Sequence, residues 1–184
     1  MKKILLVPIM MLAALCLVVL PGCGGPSVED LIRQDLTEQL DEIKQGGDDL
    51  MDEISEASGE DFATLGIDAK EFAKSYLDGF DYSIGDITVE DRTATAKVDL
   101  TMKSLGDILS GFQTQFADKL SSLDLAAQAD EQGLYTMAGE LLMQVTQDTE
   151  PKTVTIEVPY ESDDEGVWSE SDGAETAILN AMMS

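Results

Sequence analysis

No histidine occurs anywhere in the sequence. That absence excludes Ser-His-Asp and Cys-His nucleophilic centres and the usual ligand sets of catalytic zinc. It also removes the side chain that most often serves as general base near neutral pH. Cysteine is nearly as scarce: there are two, Cys16 and Cys23, both close to the N-terminus. No disulfide can form within the remaining chain, so its stability has to come from packing. Basic residues number 11 against 37 acidic ones, a formal net charge of −26. Binding to nucleic acid depends on basic groups neutralising phosphates, so nucleic acid is excluded as a partner. The same charge repels anionic lipid head groups. Also missing are G-x-S-x-G, Ser-x-x-Lys and a glycine-rich phosphate loop.

What is present begins at the N-terminus. Lys2 and Lys3 precede an uncharged apolar run from Ile4 to Leu20, and Leu20-Pro21-Gly22-Cys23 closes it. Positive charge, apolar stretch and small residue in that order make a secretory signal peptide. A run of about 17 residues is at the lower limit for spanning a bilayer, and no basic residue follows to stop transfer. The small residue directly before Cys23 resembles the lipobox of bacterial lipoproteins, although Pro21 stands where that motif more often has a small or aliphatic residue. The resemblance implies a diacylglyceryl group on the Cys23 thiol and cleavage between Gly22 and Cys23. Two or more acyl chains hold a protein stably on a membrane, where one holds it marginally. The expected organisation is a signal peptide over 1–22, a lipidated Cys and short tether over 23–27, and a single domain over 28–184. The expected location is the cell membrane, lipid-anchored, on its extracytoplasmic face.

Ser27-Val28-Glu29-Asp30 has the form of a capping box. Leu31, Leu36, Leu40 and Ile43 follow at helical spacing until Gly46-Gly47. A second helical stretch carries Leu50 and Ile54. Asp68-Ala69-Lys70-Glu71 predicts another helix start, with Ile67 and Phe72 placed for a hydrophobic staple and Phe72, Tyr76, Leu77 and Phe80 as its stripe. The period then changes. Tyr82, Ile84, Ile87 and Val89 predict a strand broken near Gly85-Asp86, and Glu90-Asp91-Arg92 a turn. Ala94, Ala96, Val98, Leu100 and Met102 alternate with Thr93, Thr95, Lys97, Asp99, Thr101 and Lys103, the pattern of an antiparallel strand with one wet face. Ile108, Leu109, Phe112, Phe116 and Leu120 mark a helix, and Leu134, Met137, Leu141, Leu142 and Val145 another, stopped by Pro151. Val154, Ile156, Val158 and Tyr160 predict a third strand, which Pro159 places at an edge or terminus. Ser162 to Gly166 predicts a hairpin loop, Val167 to Ser171 a fourth strand with the sole tryptophan, Trp168, and Ala174 to Met183 a closing helix.

The class expected is α+β: an antiparallel sheet of about four strands packed on helices, with a helical insertion between the second and third. The runs Gly79 to Val89, Ala94 to Val98, Val154 to Tyr160 and Gly166-Val167-Trp168 resemble NTF2-like or cystatin-like domains, and the bacterial lipoprotein families DUF4878 and DUF5105. That resemblance implies a fold and no particular reaction. Asp48-Asp49 with Asp52-Glu53, and Asp163-Asp164-Glu165, cluster carboxylates without the spacing of a calcium loop. Most such carboxylates form solvated faces. No catalytic, cofactor-binding or metal residue is assigned, and no cofactor is expected. The chain reads as a non-catalytic interaction module whose partners are the membrane, through its lipid, and a protein, peptide or cell-wall component. The alternative is a small histidine-free NTF2-like enzyme using Asp and Tyr, among them Tyr76, Tyr82 and Tyr160, in the concavity of the sheet. An open pocket with a buried carboxylate would favour the enzyme, and a concavity filled by helix the binder.

Overall fold

Alternation from Ala94 to Met102 builds the centre of the molecule. A computed structural model describes residues 17–18, 26–46, 52, 56, 62–122 and 131–184. In it Ala94, Ala96, Val98, Leu100 and Met102 are buried on one face of strand β3 (Thr93–Met102), while Thr93 and Lys97 are exposed on the other. Strand β2 (Asp81–Glu90) pairs with one side of β3 and β4 (Lys152–Ser162) with the other, and β5 (Val167–Glu170) pairs with β4. A two-residue strand, β1 (Leu17–Val18), lies within the expected signal peptide and pairs with Trp168 and Val167 at the outer edge. The order is β1-β5-β4-β3-β2, every pairing antiparallel. The four-stranded antiparallel sheet expected from the sequence is therefore present.

Local chemistry explains the irregularities. The register of β2 slips between Ile84 and Ile87. Without that bulge Tyr82 and Ile84 would face one side and Ile87 and Val89 the other, because side chains alternate along a strand. With it, all four are half-buried on the inner side. Asp91 takes a positive φ of 52° in the two-residue turn to β3, a conformation Asp tolerates better than most residues. Gly166, at φ 81°, closes the β4–β5 loop, where Asp163 Oδ1 accepts from the Glu165 and Val167 amides. Strand β4 as a whole lies between β3 and β5, but β5 pairs only with Tyr160, Glu161 and Ser162, so Pro159 sits near the strand's end on a stretch open on that side, as expected. Its carbonyl accepts from Ser171 N at 3.0 Å. Its nitrogen therefore points the same way, past the end of β5, where no ladder donor is required.

Helix α1 (Val28–Gln45) starts with the expected box: Ser27 Oγ accepts from Asp30 N, and Asp30 Oδ2 accepts from Ser27 N. Its buried face is Ile32, Asp35, Leu36, Gln39 and Leu40, turned slightly from the Leu31-based stripe predicted above. Helix α2 (Ala69–Leu77) is capped by Asp68, whose Oδ1 accepts from Glu71 N at 2.9 Å. Ile67 and Phe72 pack in one cluster with Phe62 and Ala69, as a staple requires. Helices α3 (Leu105–Ser122) and α4 (Glu131–Asp148) form the insertion between β3 and β4. Leu109, predicted on the apolar face of α3, is 46% exposed, and Ile108 is the buried residue there. Helix α5 (Asp172–Met183) closes the chain. The predicted helix around Leu50 and Ile54 lies outside the described residues.

One residue of the wet set behaves otherwise. Lys103 is only 3% exposed, and its Nζ donates to Thr146 O at 2.8 Å. It sits just past the end of β3, beside the last turn of α4, whose terminal carbonyls have no partner within the helix. A cation there satisfies a carbonyl and complements the helix dipole. The main core lies between the inner sheet face, α1 and α5, with Ile32, Leu36, Val98, Ile156, Val158, Trp168, Ala181 and Met182 all buried. Among the described residues, no helix is long and apolar enough to cross a membrane.

Candidate functional site

The inner face of the sheet is where the enzyme reading places its chemistry, and helices occupy it. Leu36, Leu40 and Ile43 from α1 and Ile178 and Met182 from α5 stand opposite Val98, Leu100, Ile156 and Val158. Between them remains a cavity of about 50 Å³. A small-molecule pocket has about 300–1,000 Å³, so this space admits a water or two and no metabolite. Its lining is apolar except for Gln39, Tyr76 and Glu170.

A polar cluster borders this cavity. Tyr160 projects inward from β4 and is 1% exposed, and Asp35 on α1 is 3% exposed. Tyr160 Oη donates to Asp35 Oδ2 at 2.8 Å and lies 3.4 Å from Glu170 Oε1. Glu170 is the cross-strand partner of Tyr160, so pairing alone puts the two side chains side by side on the inner face. Asp35 Oδ1 is buried without a hydrogen-bond partner. Burial raises the Asp35 carboxyl above its ordinary range, against the Tyr160 hydrogen bond and the Gln39 amide, which favour the anion. Burial also raises Glu170, and the nearby Asp35 charge adds to it. The Tyr160 phenol is pushed far up by burial and then by the two carboxylates, so it stays protonated.

The other two tyrosines behave differently. Tyr76 is 7% exposed, its hydroxyl has no partner, and burial pushes its pKa up to about 12. Tyr82 Oη donates to Asp41 Oδ1 at 2.7 Å, and its pKa also rises to about 12, chiefly through desolvation. It belongs to a seam binding α1 to β2. There Lys44 Nζ meets Asp81 Oδ1 at 2.8 Å, and the Arg33 guanidinium donates to the Ile84 and Gly85 carbonyls, both at 2.8 Å. Those carbonyls belong to the bulge, so the arginine fork holds the irregular stretch of β2. Of the three tyrosines predicted to converge, the structure thus brings only Tyr160 against a buried carboxylate, Asp35, with the half-buried Glu170 beside it.

Cys23 and Gly22 lie outside the described residues, as do Asp48, Asp49 and Glu53. In the other acidic run, Asp163 is spent on the turn and Asp164 Oδ1 meets Arg92 Nη1 at 2.8 Å. Among the described residues no group of three or more carboxylates or cysteines could hold a metal ion. Trp168 is 4% exposed in the core. A second, more polar cleft of about 340 Å³ runs between the 65–71 segment and α4, lined by Asp68, Glu71, Glu140 and Gln144 among others. Asp68 is already the cap of α2.

Asp35 and Glu170 were not among the predicted residues, yet each carried a signal. Asp35 and Gln39 stand three and seven residues after Ile32, hence on the buried face once Ile32 sets the stripe. Glu170 stands two residues after Trp168 in a strand, hence on the same face. Both were hidden by the abundance of acidic residues elsewhere.

Compared with known proteins, the chain matches no protein-family model and no curated protein sequence. Among solved structures it is similar to a Bacillus subtilis protein, ycdA, described as a "putative lipoprotein", with 16% sequence identity and a TM-score of 0.36. The match covers 79% of this chain and 45% of that one, so this chain spans less than half the length of its neighbour. An overlap that loose assigns neither fold nor activity by likeness.

Proposed function

We propose that this chain is a lipid-anchored extracytoplasmic protein, held at Cys23, whose domain binds a protein, peptide or cell-wall component without catalysing a reaction. The observation that carries the binding reading is the closed concavity: α1 and α5 leave about 50 Å³, too little for a substrate. The outer face of the sheet, with Thr93, Lys97, Thr153, Thr155 and Glu157 exposed, has no helix packed over it among the described residues, and a partner meets the domain there. A sheet backed by helices also supports the finer likeness to NTF2-like and cystatin-like domains. The anchor rests on the Lys2-Lys3, apolar run and Gly22-Cys23 sequence.

Fractionation of cells expressing wild type and Cys23→Ser tests the anchor. Wild type is expected in the membrane fraction, and the variant either soluble or retained as uncut precursor. A processed Cys23→Ser protein that partitions like wild type overturns the lipid anchor. Capture from intact cells, repeated with Thr155→Lys and Glu157→Lys, tests the face: loss of a captured partner with an unchanged unfolding midpoint supports it. Capture unaffected by both overturns it.

The enzyme reading keeps one observation in its favour, a buried carboxylate hydrogen-bonded to a tyrosine. Such an enzyme would have to move α1 or α5 to admit substrate. Turnover in an esterase, glycosidase and isomerase screen, abolished by Asp35→Asn, would establish it.

A further inference from the structure

Where Asp35, Tyr160 and Glu170 meet, ionising both carboxyls leaves one proton between two facing acceptors. A phenol has one proton to donate, and at 2.8 Å it goes to Asp35. Glu170 Oε1 faces the same oxygen at 3.4 Å. Glu170 is half-buried, and on its Tyr160 side it either presents a lone pair to a lone pair or carries its own proton and donates. Among the described residues no cation offers a third way. From α1 the cluster meets Glu38 and Gln39, which bring a negative charge and a neutral amide. Tyr160 comes from β4 and Glu170 from β5. Helix α5 supplies Ile178 and Met182 to the adjoining cavity, α2 supplies Tyr76, and β3 supplies Val98, Leu100 and Met102.

We propose that Asp35, Tyr160 and Glu170 form a buried proton latch: the two carboxyl groups share one proton, residing mainly on Glu170, and its release loosens the seat of α1 on the β4–β5 hairpin. The latch joins three elements that no other side-chain hydrogen bond brings together among those described. With the proton in place, Glu170 donates to Tyr160, Tyr160 donates to Asp35, and the cluster carries one negative charge. Without it, two anions face one donor in an apolar setting, which costs far more than it would in water.

The pH dependence has a definite sign. Both carboxyls are raised by burial above their ordinary values of 3.8 and 4.5. A group that binds its proton more tightly when folded stabilises the fold most at low pH. That contribution is complete below about 4 and declines as pH rises through the folded-state values of the coupled pair. On the extracytoplasmic reading proposed above, the domain meets external pH directly; the latch itself does not depend on that reading.

Infrared difference spectroscopy on the full chain tests the proposal, because a protonated carboxylic acid has its own carbonyl stretch. Wild type is expected to keep one such band above the pH at which the exposed carboxyls have ionised, and Glu170→Gln to lack it. Asp35→Asn removes the neighbouring charge and should shift the titration of the band to lower pH, which a purely structural role would not do. In parallel, emission from Trp168, the sole tryptophan and a neighbour on the same strand face, is expected to change with the band in wild type and not in Glu170→Gln. A wild-type band that disappears together with those of the exposed carboxyls, or one that persists in Glu170→Gln, overturns the latch. So does a titration unmoved by Asp35→Asn. Should Glu170→Gln not fold, the wild-type band and its shift in Asp35→Asn decide alone.

Discussion

Val98 tests the organisation of the sheet most directly. It is 1% exposed, lies opposite Ile84 on β2 and Ile156 on β4, and borders the cavity beneath α1. Val98→Asp loses the burial of a valine, about 1.5–3 kcal/mol, and places a carboxyl among apolar groups without a partner, about 2–7 kcal/mol more. The sum is at least about 4 kcal/mol, a large share of the stability of a domain that has about 5–15 kcal/mol in all. Thr95→Asp puts the same group three residues earlier, on the outer face, opposite Thr88 and Pro159. There it loses strand propensity of about 1 kcal/mol or less. Val98→Ala serves as a graded control: two carbons at about 0.8 kcal/mol each, plus a cavity term, come to about 2 kcal/mol. With a urea slope of about 2 kcal/mol per molar, its midpoint should fall by about 1 M. Trp168 fluorescence during urea unfolding reads all three. Equal midpoints for Val98→Asp and Thr95→Asp would refute the assignment of faces, and a smaller loss for Val98→Asp than for Val98→Ala would refute the reasoning about buried charge.

Three further outcomes are expected. Lys103→Met keeps most of the buried stem but removes the donor to Thr146 O, so the fold should lose about 1–3 kcal/mol, read as a lower thermal midpoint; an unchanged midpoint would show that the ammonium contributes nothing there. Gly139→Ala would set a Cβ 2.0 Å from the Leu65 carbonyl oxygen, so α4 and the 62–67 segment must separate at a cost of about 1–3 kcal/mol, whereas Gly166→Ala meets no atom and suffers only from its φ of 81°. Proteolysis within 62–67 should quicken in the first variant and not in the second. Chelator treatment should leave the unfolding midpoint in place, and a shift would reveal a metal ligand set.

Much of the fold was legible from residue pattern. Strict alternation in β3 and β4 has only one low-energy arrangement, a strand with one buried face, and the caps at Ser27 and Asp68 are local hydrogen bonds within four residues. The bulge in β2 was legible too, as a phase change between Ile84 and Ile87. What depended on contact across long separations was not. The buried position of Lys103 needs the end of α4, reached through Thr146, forty-three residues away. That Pro159 can sit in a strand with neighbours on both sides depends on the point at which β5 stops.

The site divides in the same way. By itself the sequence determined that histidine chemistry and disulfides are absent from the domain, because those follow from composition, and that Cys23 is the candidate for lipidation, because that motif is contiguous. Only the tertiary structure decided which of 37 acidic residues matter. Asp35 and Glu170 are separated by most of the domain, and their spacing from Ile32 and Trp168 gives each a face without showing that the two meet. Packing of α1 over the β4–β5 hairpin buries Asp35, half-buries Glu170 and gives them one tyrosine hydroxyl to share. A carboxylate's chemistry is set by its solvation and its nearest donors, and those are properties of the assembled fold.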